Sequence, residues 1–133
     1  MTHQLRSLGL HDAEITGIDS LRDIREVLIR TRLSNGNLLN LKFKTVHLFR
    51  VVDFGMQNVI SRVLVYSKDE LKSDIGIDKI NWLNSFSDTK ASLSKNQLDA
   101  LYSVIDNDDL NLVYLEPSCG AELAILFSES DVV

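Results

Sequence analysis

A chain of 133 residues with 44% hydrophobic and 25% charged side chains has the size and make-up of one folded domain, residues 1–133, and not of a disordered chain. Its formal charge of −5 argues against non-specific nucleic-acid binding, which needs clustered Lys and Arg on the phosphates. No segment approaches the ~20 apolar residues that span a bilayer. Met1–Arg6 lacks the apolar run of a signal peptide, and the single cysteine, Cys119, cannot close an internal disulfide, so a cytoplasmic protein is expected.

The first two-thirds of the chain reads as strands. Glu14–Asp19 is the earliest. Val27, Ile29, Thr31 and Leu33 then alternate with Leu28, Arg30 and Arg32, the period of two of a half-buried strand. Ser34-Asn35-Gly36-Asn37 follows, and Asn-Gly supplies the positive φ angles of a tight hairpin turn. The return strand puts Leu39, Leu41 and Phe43 on one face and Asn40, Lys42 and Lys44 on the other. Val46–Val52 and Val59–Tyr66 make two more strands. The latter is apolar on both faces, which fits a central position. Ser67–Ser92 is polar, broken by Gly76, and reads as the most irregular stretch. Ile77, Ile80, Trp82 and Leu83 are nevertheless spaced to dock a short helix.

One helix is well marked, at about 94–106. Ser94 caps it, Gln97 completes a capping box, and Leu93 staples onto Leu98. Leu98, Leu101, Tyr102 and Ile105 recur at helical spacing. Asp108 and Asp109 would oppose the helix dipole and are assigned to the following turn. Leu112–Leu115 and Ala121–Phe127 form a final hairpin, with Pro117 stopping the ladder and Gly120 permitting the bend. Six to seven short strands with one helix predict an α+β domain, its antiparallel sheet strongly curved or packed as a sandwich.

Charge is divided unevenly. Residues 1–72 carry 11 basic and 8 acidic side chains, and residues 73–133 carry 3 and 11. After Lys95 there is no Lys, Arg or His at all. A one-sign segment of this length sets up a field that selects a basic partner. Asp106, Asp108, Asp109 and Glu116 are the acids expected near the helix end and hairpin start, with Tyr114, or Trp82 if exposed, as an aromatic anchor. The competing reading is that these acids are scattered, outward-facing positions.

Other groups point less strongly to chemistry. His11, Asp12 and Glu14 are the densest titratable group near a strand start, and a His beside carboxylates suits acid–base work. Neighbours in a strand face opposite sides, however, which favours local turn hydrogen bonds. Cys119 lies between the anionic Glu116 and Glu122 with no base beside it in the sequence, and it reads as a turn residue. The histidines His3, His11 and His47 are scattered. Asp106-Asn107-Asp108-Asp109 lacks the Gly and the downstream Glu of a calcium loop. No metal site and no cofactor are expected. Arg30, Arg32, Lys42 and Lys44 share one strand face. Without interleaved aromatics to stack bases, they read as a solvated sheet surface.

Leu10-His11-Asp12-Ala13-Glu14-Ile15, Asn58-Val59-Ile60 and Glu116-Pro117-Ser118-Cys119-Gly120-Ala121-Glu122, taken in order, resemble a loose group of small uncharacterised bacterial proteins. Some proteins of this size and build are similar to immunity proteins of contact-dependent or polymorphic toxin systems. The resemblance implies a bacterial cytosolic protein without catalysis that inhibits a basic toxin domain. It transfers no site residues. Two alternatives stand beside it. One is a small-ligand binder or enzyme using His11, Asp12 and Glu14. The other is a structural homo-oligomer in which an edge strand pairs with its twin. Monomer and dimer remain equally open from the sequence.

Overall fold

The computed structural model describes residues 2–87 and 89–133, with side chains from Leu5 onward. Eight strands form one antiparallel sheet: β1 (Glu14–Leu21), β2 (Glu26–Arg32), β3 (Leu38–Lys44), β4 (Leu48–Val52), β5 (Val59–Tyr66), β6 (Asn111–Cys119), β7 (Glu122–Phe127) and β8 (Glu129–Val132). Their order across the sheet is β4-β7-β6-β5-β1-β2-β3-β8. Among the described residues three α-helices accompany them: α1 (Thr2–Ser7), α2 (Asp74–Leu83) and α3 (Lys95–Asp108).

The sheet is rolled onto itself. Phe43 of β3 and Phe127 of β7 have four strands between them in the sheet order, yet their rings meet edge to face at 4.9 Å. This contact closes an inner core of Ile15, Val27, Ile29, Leu41, Phe43, Ile60, Val113, Leu115, Leu123, Ile125 and Phe127. The curved sheet and the sandwich are therefore one object, a single sheet whose halves face each other. The hinge is narrow. β1 and β5 share one paired position, Glu14 with Val59, and register shifts in β1 and β5 flank it. Such bulges bend and twist a sheet locally.

A second core lies outside the β4-β7-β6-β5 half. Leu112, Tyr114, Ala124 and Leu126 point outward from β6 and β7 and meet Leu71, Ile80, Leu83, Ile105 and Leu110 from the helical segments. β6 and β7 are thus buried on both faces, which explains their continuous apolar runs. α2 and α3 form a third layer there. The Ser94–Gln97 capping box is present as read from the sequence, with both reciprocal hydrogen bonds.

Several expectations need correction. The sheet has an eighth strand, β8, in a charged segment where only Ser130 is buried. It forms because Glu129–Val132 pairs with β3 at a sheet edge, where little burial is needed. α1 was not foreseen, whereas α2 is the short helix that Ile77, Ile80, Trp82 and Leu83 are spaced to dock within the stretch read as irregular, with Ile80 and Leu83 buried. α2 begins at Ser73, whose side chain accepts from the Gly76 N–H. In the first hairpin only Gly36 takes a positive φ, at 91°; Gly36 N–H donates to Leu33 C=O and Leu33 N–H to Asn37 C=O. This is the longer three-residue form, a turn followed by a left-handed residue. Asp108 is the last helical residue, and Asp109 is the left-handed cap at φ 57°. Pro117 does not end β6. The ladder to β7 stops at Leu115–Leu123, whereas pairing with β5 continues past Pro117 to Cys119.

Candidate functional site

The acids after Lys95 meet bases from the earlier chain. Lys72 Nζ lies 3.2 Å from Asp106, His47 Nε2 3.0 Å from Asp108, and Lys68 Nζ 2.9 Å from Asp109. Lys44 pairs with Asp131 at 3.3 Å. Arg62 grips Glu116 with two hydrogen bonds, at 2.9 and 2.7 Å. That grip holds the Glu116 carboxyl below its usual range and raises the guanidinium. Five of the eight acids after Lys95 thus face a basic side chain from the earlier chain, four of them a Lys or Arg. Exposed pairs of this kind add little to stability, because solvent screens them. Their effect here is on the field, which they blunt.

Asp106, Asp108 and Asp109 gather at the C-terminal end of α3. Glu116 does not join them. It lies five residues along β6 from Asn111, roughly 17 Å at ~3.3 Å per strand residue. Tyr114 is 6% exposed and sits beneath α2. Its hydroxyl donates to Glu122 at 2.5 Å, its ring meets Trp82 edge-on at 5.9 Å, and Lys79 Nζ lies 3.7 Å above it. Burial and the bond to Glu122 push the phenol pKa well above its ordinary value. As an exposed anchor Tyr114 is misplaced, because its β6 position faces the helical layer.

His11 and Asp12 do converge, with Nε2 3.4 Å from Oδ2. They lie in a turn, where Asp12 takes φ 62°, so strand alternation does not govern them. His11 Nδ1 lies 2.6 Å from Ser61 C=O. Both side chains are largely exposed, and Glu14 has no hydrogen bond or ion pair with either. Arg30, Lys42 and Lys44 pair with Asp19, Glu26 and Asp131, which makes that face a solvated, charge-matched surface. Among the described residues no group of three or more His, Cys, Asp or Glu gathers as a metal site. The His3 side chain lies outside the described part. Among the described residues no helix is long and apolar enough to cross a membrane.

The surface that sequence reading missed surrounds β4. This edge strand pairs only with β7, and all five of its residues are half-buried. Three clefts border it. On the inner side, an opening of about 460 Å³ is lined by Leu21, Arg22, Arg25, Val27, Val46, His47 and Phe49, among others. On the outer side, an apolar groove of about 400 Å³ runs between β4 and α3, lined by Leu48, Leu93, Ala100, Leu101 and Val104 with His47, Asn84 and Gln97. A third cleft holds Arg50, Asp78, Trp82 and Lys90. There the Arg50 guanidinium donates to Trp82 C=O at 2.8 Å and Ser87 C=O at 2.9 Å and lies 4.4 Å from the Trp82 ring centroid. The available signal was the width of the α3 apolar arc. Ala100, Leu101 and Val104 extend it beyond what burying Ile105 requires.

Net charge still favours the helical layer. Residues 67–109 carry nine acids against five lysines, −4 of the chain's −5. The groove has an apolar floor, and its α3 wall belongs to that segment. No family model matches the chain, and comparison with curated proteins and with solved structures found no match either.

Proposed function

We propose that the chain is a protein-binding module that docks a basic partner on its helical layer, as an immunity-type inhibitor masks a toxin domain. The observation that carries this reading is the α3–β4 groove, an apolar floor with one wall in the segment 67–109, whose net charge is −4. Interfaces are built this way, with an apolar centre and a polar rim. Net negative charge speeds encounter with a cationic surface, and the apolar floor then slows release. Pairing of Asp106, Asp108 and Asp109 with bases lowers the local field, so the groove contributes more to affinity than those acids do. Tyr114 supports the surface from below and has no direct contact in this reading.

The test is association kinetics between this chain and the product of the adjacent reading frame, at low and high salt, for the wild type and for Leu101→Glu and Val104→Lys. The expected result is an association rate that falls with salt and a groove variant that releases the partner at least tenfold faster. A rate indifferent to salt removes the electrostatic component. Unchanged release by both variants removes the groove.

A further inference from the structure

The geometry points to self-association through β4, with a second copy of the chain adding its own β4 antiparallel to the open edge. The two sheet edges differ in how they are protected. Natural edges are blunted by charge, shortness or proline. β8 is four residues long with Glu129 and Asp131 on it. β4 is Leu48-Phe49-Arg50-Val51-Val52, and its one charged side chain is turned away toward Trp82 and Ser87. Among the described residues its backbone makes no hydrogen bonds beyond the ladder to β7.

A two-fold axis through Arg50 makes the surroundings self-complementary. Phe49 would face Val51 of the second copy on the inner side, and Leu48 would face Val52 on the outer side. Aromatic and β-branched cross-strand pairs of this kind stabilise antiparallel sheets. The inner cleft beside Phe49 leaves room for the added Phe49 and Val51 side chains. Arg50 would face Arg50, but each guanidinium is already held by two carbonyls and its own Trp82 ring.

The flanks match as well. Val46 N–H donates to Arg25 C=O at 2.9 Å, which fixes Leu21, Arg22, Ile24 and Arg25 beside the start of β4. Just past its end come Asp53, Phe54 and Met56. The axis brings the start of one strand against the end of the other, so Arg22 and Arg25 meet Asp53, and Leu21 and Ile24 meet Phe54 and Met56. These four apolar residues are 43%, 61%, 47% and 100% exposed, a cost that self-association removes. An interface that is the same patch on both subunits is the expected form for a two-fold dimer.

The experiment is sedimentation equilibrium on the full chain at micromolar concentration, with amide hydrogen exchange across β4. The expected wild type is a dimer with slowed exchange in 48–52. Phe54→Glu/Met56→Glu should be a monomer with an unchanged circular dichroism spectrum and faster exchange in 48–52, because both positions are exposed. Val132→Lys, on the other edge, should remain a dimer. A monomeric wild type overturns the inference. So does a dimer that survives Phe54→Glu/Met56→Glu, one lost on Val132→Lys, or equal exchange of 48–52 in dimer and monomer. Loss of partner binding in Leu101→Glu with the dimer intact separates this interface from the α3 groove.

Discussion

The side-chain oxygen of Asn58 accepts a hydrogen bond from the Ala121 N–H at 3.0 Å, across 63 residues of chain. The same oxygen accepts from Gly55 N–H at 2.9 Å. Its amide nitrogen donates to Gly55 C=O at 2.8 Å and Ile15 C=O at 3.3 Å. Asn58 is buried, and its backbone C=O receives the Ile15 N–H at 2.7 Å. One residue on each side of Val59, the chain thus ties into β1, since Ile60 N–H donates to Ala13 C=O. The three short sequences at 10–15, 58–60 and 116–122 therefore meet at one seam. What they have in common is a structural task, joining the sheet halves where β1 and β5 share a single paired position.

Asn58→Ala leaves two N–H groups and two carbonyls short of a partner at this seam. An unsatisfied buried group costs about 1–3 kcal/mol, and coupled networks fail together. The expected loss is about 3 kcal/mol in urea-monitored unfolding. A loss under about 1 kcal/mol would mean that the seam is held by the backbone ladder alone.

Gly120 is fixed by the same seam. It takes φ 76°, and a Cβ there would lie 2.2 Å from Gln57 C=O and 2.6 Å from Asn58 Oδ1. Gly36 also has a positive φ, but a Cβ there meets nothing within 4 Å. Gly36→Ala should cost about 1 kcal/mol, the left-handed penalty alone. Gly120→Ala adds a backbone clash and should cost at least about 2 kcal/mol more. Equal unfolding midpoints for the two variants would refute this ranking.

How legible was all this in advance? Alternation placed Val27, Ile29, Leu41 and Phe43 inside, because a strand covered on one face writes its burial directly into the sequence. Ser94 and Gln97 marked the start of α3, because a capping box is local. β8 was invisible because Glu129 and Asp131 are exposed and only β3 specifies the pairing. The acids after Lys95 were visible, but Lys68, Lys72 and Arg62, which answer them, come from segments 34 to 54 residues away. Charge order along the chain cannot report charge neighbours in space. The groove beside β4 was hidden for the same reason, since it exists only once α3 lies against an edge strand.

The α3 cap gives a local test. Ser94→Ala removes the acceptor of the Gln97 N–H and should cost about 1 kcal/mol, lowering the thermal midpoint by roughly 3–5 °C at this chain length. Gln97→Ala removes the reciprocal bond to the Ser94 N–H. Because the two bonds form one box, the double variant should lose less than the sum of the singles. Strict additivity in calorimetry would show two independent bonds.

Tyr114→Phe separates packing from protonation. The ring keeps its place against Trp82, and only the bond from the hydroxyl to Glu122 is lost, at about 1.5 kcal/mol for a charged acceptor. The pH dependence follows from the raised phenol pKa. A folded state that holds this proton more tightly than the unfolded chain gains stability that is fully present below the unfolded value of about 10. The gain is lost as pH rises toward the higher folded value. The wild type should therefore lose stability above about pH 10 more steeply than Tyr114→Phe, with a constant gap between the two at neutral pH. Tyr66 and Tyr102, whose phenols burial also raises, leave the variant a shallower alkaline slope of its own. Urea unfolding across the alkaline range reads both features. Parallel curves for the two proteins would mean that the buried hydroxyl at Tyr114 does not carry the linkage, and that its bond to Glu122 is replaced by water when the protein is in solution.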